Sequence, residues 1–166
     1  LVKDEAKLAR QLERVSIQHV GALDDNALID RLKEKRQVLC IVNNRLHARA
    51  VYKALEDLPG SVHLSTLMCA KHRSMTLAGV REALRKNEAC RVVSTSLIEA
   101  GVDVSFPMVM RAEAGLDSIA QAAGRCNRNK EWPVESSKVL VFSNENPDWK
   151  PPVEVMQFAQ AASQVL

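Results

Sequence analysis

Short runs of branched aliphatic residues alternate with longer stretches in which apolar side chains recur at helical spacing. Val15 to Val20 predicts a strand. A helix through about Lys35 follows, capped by Asp24 or Asp25, with Leu28, Ile29 and Leu32 facing inward. Val38 to Val42, VLCIV, is apolar throughout, the pattern of a strand covered on both faces. Arg45 to Leu58 predicts a helix with Leu46, Ala50, Val51, Ala54 and Leu55 inward, ended by Pro59-Gly60. Further strands are expected at Val62 to Leu64, Arg91 to Thr95, Pro107 to Met110 and Lys138 to Phe142. Helices are expected at Ser74 to Lys86, at Ser118 to Lys130 capped by Asp117, and from near Pro151 or Pro152 onward.

Strand and helix in this rhythm predict an α/β fold, a three-layer α/β/α domain with a mainly parallel sheet. The expected layout is a leading segment at 1–13, a sheet core at 14–143 and a terminal helix at 150–166. In such folds ligands bind beyond the carboxyl ends of the strands, so the residues there are the first candidates for function.

A chain of 166 residues is one domain by length, and with 4% aromatic residues its core must be aliphatic. The net charge of +3 permits a nucleic-acid partner without arguing for one. Cys40, Cys69, Cys90 and Cys126 form no C-x-x-C pair, so they read as reduced, packing thiols of a cytoplasmic protein, and no metal site is expected. No apolar run is long enough for a membrane span, and no signal segment opens the chain. The opening LVKDEAKLARQLERV reads as cut from something longer. Its letters DEAK lack the apolar strand that precedes a helicase carboxylate box.

Polar groups gather after the predicted strands: Asn43, Asn44 and Arg45; Ser65 and Thr66, with Lys71, His72 and Arg73 further along a loop; then Thr95 and Ser96. Amides, hydroxyls and cations are the groups that hold phosphate oxygens. Yet the six glycines are isolated, with no G-x-x-x-x-G-K-[ST] and no G-x-G-x-x-G, which excludes a self-contained P-loop enzyme. In SIAQAAGRCNRNK, helical spacing puts Gln121, Arg125 and Arg128 on one face. A solvated helix surface would have the same spacing. Gly124 inside a helix costs about 1 kcal/mol against Ala, which suggests a close approach by backbone or ligand. Two arginines without a cradle suggest cations supplied to a nucleotide held elsewhere.

Gln121 to Arg128, Q-A-A-G-R-C-N-R, resembles motif VI of the superfamily 2 helicases, and Val93 to Phe106, VSTSLIEAGVDVSF, resembles their motif V. Together with HLSTLMCAKHR at His63 to Arg73, the combination is similar to the CRISPR-associated helicase-nuclease of type I interference systems, over roughly residues 37–143. The resemblance implies the second of two RecA-like lobes with ATP and Mg2+ between them, the cradle lying on the first lobe. It also implies an HD nuclease domain, 3′ to 5′ movement on single-stranded DNA, a CRISPR RNA-guided surveillance complex as partner, and a role in antiviral defence.

Carried over by position, Arg128 would be the arginine finger on the γ-phosphate. Arg125 would contact the same phosphate or the coupling network, and Gln121 would support that network. Asp103, with Gly101 in the matched G-V-D, would meet the ribose or couple nucleotide state to DNA grip. Thr95 with Ser96, Asn43 with Asn44, and Ser65 with Thr66 would hold the DNA backbone, with His72 and Arg73 on the same strand. Ala122 stands where many relatives have an additional Arg, so that residue's contacts do not transfer. Glu99 reads as a helix-start acid that favours the local dipole. Two other readings stay open: another superfamily 2 DNA or RNA helicase, and a non-catalytic nucleic-acid or partner-binding module.

Overall fold

The computed structural model describes residues 13–99 and 101–162. The DEAK letters and nearly all of the leading segment lie outside the described residues, as do Ala100 and residues 163–166. Six strands, β1 (Ser16–Leu23), β2 (Gln37–Ile41), β3 (Ser61–Leu64), β4 (Cys90–Ser94), β5 (Met108–Ala112) and β6 (Lys138–Asn144), form one sheet in the order β1-β6-β5-β2-β4-β3. Every neighbouring pair is parallel.

Period-two alternation sorts the strand side chains onto two faces. Val38, Cys40, Met110, Ala112 and Phe142 pack with Leu28 and Leu32 of α1 (Asp25–Lys33) and Ala48 and Val51 of α2 (Arg45–Lys53). On the other face Leu39, Ile41, Val92, Val109 and Val139 pack with Leu77 and Val80 of α3 (Ala70–Arg85), Ala122 of α4 (Leu116–Ala123), and the segment from Ile98 to Phe106. A last helix, α5 (Val153–Ala162), follows β6. This is the expected three-layer α/β/α domain.

Of the two caps expected for α1 it is Asp24 that serves, its side chain accepting from Ala27 N at 2.7 Å. Several other boundaries and faces differ from expectation, each for a local reason. The inward face of α2 is His47, Ala48 and Val51, while Leu46 stands 66% exposed and Ala50 is also exposed. Asn44 caps α2 by accepting from Leu46 N at 2.8 Å, which rotates Leu46 toward solvent. α3 begins at Ala70, so Lys71, His72 and Arg73 lie in its first turns rather than on a loop. Ala, Lys and Arg propagate a helix readily and no Gly or Pro interrupts them there.

The largest change concerns α4. Gly115, not Asp117, is its N-cap, and the helix stops at Ala123 with Gly124 as C-cap in ordinary αR geometry. Beyond it the chain is pulled into pairing with Phe106, which donates to Arg125 O at 2.9 Å and accepts from Asn127 N at 2.9 Å. Gln121, Arg125 and Arg128 therefore do not share one helix face. A methyl at Gly124 would lie 3.1 Å from Gln121 O, so the close approach is to the helix's own backbone.

Candidate functional site

The strand order reverses direction between β2 and β5: the chain leaving β2 passes through α2 to β3 on one side, and that leaving β5 passes through α4 to β6 on the other. Such a switch point opens a crevice above the carboxyl ends. Asn43 stands in it, just past β2. It donates through Nδ2 to Glu113 O at 2.7 Å and accepts from Arg111 Nη1 at 2.6 Å. A cavity of about 640 Å3 beside it is lined by Asn43, Ser96, Arg111, Gly115, Leu116 and Phe158.

The other strand-end candidates occupy the same edge in different states. Asn44 has its side-chain oxygen committed to the α2 cap. Ser65 is buried and accepts from Leu67 N at 3.3 Å, whereas Thr66 is exposed. Thr95 is buried at the start of a single 3-10 turn and Ser96 is exposed. Arg73 and Gly101 line a separate hollow of about 350 Å3 with Arg81. His72 is exposed on α3.

Arg125 and Arg128 sit away from that edge, because α4 runs back from the carboxyl ends toward the start of β5. Arg125 is 8% exposed and donates to Ile98 O at 3.0 Å and to Glu99 O at 2.5 Å, which ties it to the segment after β4. Burial, and then the neighbouring Arg128 cation, hold its pKa below the ordinary arginine value. Arg128 is exposed. Its Nε meets the Asp103 carboxylate at 2.9 Å, a side chain itself 79% exposed, and its backbone N donates to Ser105 Oγ at 3.0 Å. Gln121 is exposed on α4, with Ala122 turned into the core.

Between the arginines Asn127 adopts φ 44°, the left-handed region that Asn tolerates better than most residues. Its side chain, 1% exposed, donates to Arg14 O and Trp132 O, each at 2.8 Å, and accepts from Trp132 N at 3.1 Å. This residue turns the chain so that Arg125 points inward and Arg128 outward.

A family model described as "CRISPR-associated nuclease/helicase Cas3, C-terminal" matches residues 34–131, more than half of the chain. The chain belongs to the Cas3 nuclease/helicase family. It is 34% identical over 147 residues to the Cas3 of Haloferax volcanii strain DS2, an alignment covering 82% of this chain and 16% of that protein. Its fold matches a crystal structure of T. fusca Cas3 with a TM-score of 0.72 at 15% identity, covering 92% of this chain and 21% of the other. It also matches a chain of a CRISPR RNA-guided surveillance complex in a pre-nicking state, with a TM-score of 0.69 at 17% identity, covering 92% and 22%. The chain thus spans about a sixth of the length of the curated Cas3 relative. T. fusca Cas3 is further represented among the matching structures in forms with ATP, AMPPNP and ADP.

Arg111 escaped the sequence reading of this Cas3-family lobe, and the parts played by Glu99 and Asn127 were not legible there. Arg111 lies in β5 at 2% exposure, and its Nε meets Glu99 Oε1 at 2.7 Å. Glu99 is 4% exposed at the end of the 3-10 turn, so the helix-dipole reading is replaced by a buried ion pair. Burial pushes the Glu99 carboxyl up and the Arg111 guanidinium down from their ordinary values, and each charge opposes the shift of the other. A charged residue next to MVM in a strand expected to be covered was the available signal, since buried charges are paired. Asn127 was legible only as a motif letter.

Among the described residues no cluster of three or more His, Cys, Asp and Glu side chains converges, and no helix is long and apolar enough to cross a membrane. The four cysteines are unpaired. Burial pushes the thiols of Cys40 and Cys126 up to about 12 and that of Cys90 to about 11, which makes them packing groups rather than nucleophiles.

Proposed function

We propose that this chain is the second motor lobe of an ATP-dependent helicase that moves 3′ to 5′ on single-stranded DNA in CRISPR antiviral defence. ATP and Mg2+ are held mainly by a first RecA-like lobe of the same protein, with an HD nuclease domain and an RNA-guided surveillance complex as further partners in the cytoplasm. Membership of the Cas3 family supports the reading, as does the likeness in fold to T. fusca Cas3 with ATP and to a chain of an RNA-guided surveillance complex.

The observation that carries it is the divided state of the two arginines. Arg125 is anchored in the fold, while Arg128 stands exposed and paired with an exposed carboxylate. Such a surface pair is worth about 0–1 kcal/mol, so Arg128 exchanges Asp103 for a phosphate oxygen at little cost. The gain is large, because a positioned arginine finger contributes about 10³-fold or more to phosphoryl transfer. Arg128 is the finger, Arg125 belongs to the coupling network, and Asp103 holds the finger when no phosphate is present. Gln121 supports the coupling network, and Gly101 belongs with Asp103 to the nucleotide contact. Asn43, Asn44, Ser65, Thr66, Arg73, Thr95 and Ser96 hold the DNA backbone, contacts that position a strand without reading its sequence.

In the full-length protein, Arg128→Ala is expected to lower ATP turnover by about 10³-fold while single-stranded DNA affinity changes by less than about threefold. Turnover close to wild type would reject the finger and favour a binding module. The isolated lobe, without a phosphate loop, is expected to show negligible turnover with or without DNA.

A further inference from the structure

The sites described so far lie on opposite ends of the sheet. Asn43 stands above its carboxyl edge, and Arg128 lies beside Ser105, ahead of β5. One buried polar path runs between them. Arg111 Nη1 donates to Asn43 Oδ1 at 2.6 Å and to Ala112 O at 2.9 Å, and Arg111 Nε meets Glu99 Oε1. The backbone oxygen of the same Glu99 accepts from Arg125 at 2.5 Å. Arg125 is in turn three residues from Arg128, with the Asn127 turn between them.

The central contact is a buried ion pair. Arg111 Nε and Glu99 Oε1 are 2.7 Å apart on side chains 2% and 4% exposed, and neither atom has a hydrogen-bond partner outside the pair. A buried ion pair this close holds only while both partners keep their places, so a displacement of the 3-10 turn is felt at Arg111. That turn also carries Ser96, Ile98 and the Glu99 carbonyl, so its movement would be felt at the cavity beside Asn43 and at Arg125 together.

We propose that Arg111 and Glu99 are positioning residues that couple strand occupancy at Asn43 to the placement of Arg125 and Arg128. The proposal rests on the motor-lobe reading above and adds to it the pair of residues through which DNA stimulates ATP turnover. Energetic coupling between two sites needs an element that both sites bias, and the 3-10 turn, held by Glu99 to Arg111 on one side and to Arg125 on the other, is the element this proposal assigns.

The test is ATP turnover by the full-length protein with and without an oligothymidylate strand. Glu99→Gln keeps the side-chain shape, and Glu99→Gln/Arg111→Met leaves no lone buried charge. In both variants turnover without DNA and the KM for ATP are expected to stay within about twofold of wild type, while the stimulation by DNA falls by about tenfold or more. The double variant should lose no more stimulation than Glu99→Gln does, since the pair acts as a unit. Retained stimulation overturns the proposal. So does loss of basal turnover together with stimulation in the double variant, because that marks a purely structural pair. A wild-type protein with no DNA-stimulated turnover instead overturns the motor-lobe reading itself.

Discussion

Asn127 does more at the scale of one residue than any cation beside it. Its left-handed backbone and three side-chain hydrogen bonds let two arginines three positions apart face different environments. Asn127→Ala removes the hydrogen bonds and with them the polar side chain that makes the left-handed backbone tolerable there. A loss of about 2–4 kcal/mol is expected, lowering the melting temperature by roughly 5–12 °C, with Asn127→Gly less harmful in backbone cost alone. Thermal melts of the two variants check this. The identities of Gln121, Arg125 and Arg128 were legible from motif spacing, but their geometry was not. Helical periodicity carries no sign of the pairing between Phe106 and Cys126, which is made across a gap in sequence and ends α4 early.

The link from β6 to α5 shows how elements are fastened together. Asp25, in the first turn of α1, accepts from Trp149 Nε1 at 2.7 Å, from Asn144 and Asn146 at 3.1 and 3.3 Å, and contacts His47 Nε2 at 3.0 Å. The His47 ring stacks on Trp149 with centroids 5.2 Å apart. Burial holds the pKa of His47 below 6.5 despite Asp25, and burial, with Arg49 adding to it, does the same for His63. A depressed histidine is neutral in the folded state while the unfolded chain takes up protons. Stability from these groups is full above 6.5 and falls as pH drops through the folded values. Asp25 is also lowered: burial works against it, but the hydrogen bonds from Trp149, Asn144 and Asn146 outweigh that, so its share is lost only below 3.8. The melting temperature should therefore be flat above about pH 7 and decline below it, with His47→Gln/His63→Gln flattening the first decline. Melting curves across that range measure it. Strand positions were largely legible because β2, β4 and β6 are apolar runs. The start of α1 was legible through Asp24, whereas the inward face of α2 was not, since the Asn44 cap holds Leu46 on the solvent side.

Across the whole molecule, parallel pairing imposes a cost in time. Among the described residues β1 pairs with β6 alone, Ser16 opposite Lys138 and Leu23 opposite Asn144, so the first of these six strands in sequence waits for the sixth. Closing so long a loop precedes any reward from the contact, and topologies dominated by distant pairings refold in about milliseconds to seconds rather than microseconds. Stopped-flow refolding is expected to fall in that slow range, and a chain truncated before Lys138 should leave β1 without a neighbour and fail to melt cooperatively. On a ribosome the consequence is an order of assembly. The buried strand β2, with β4 and β5 at its flanks, is complete well before β6 emerges, so Arg111 meets Glu99 and Asn43 while β1 still lacks its partner. The sheet then seals from its middle outward, and the edge that holds β1 closes last.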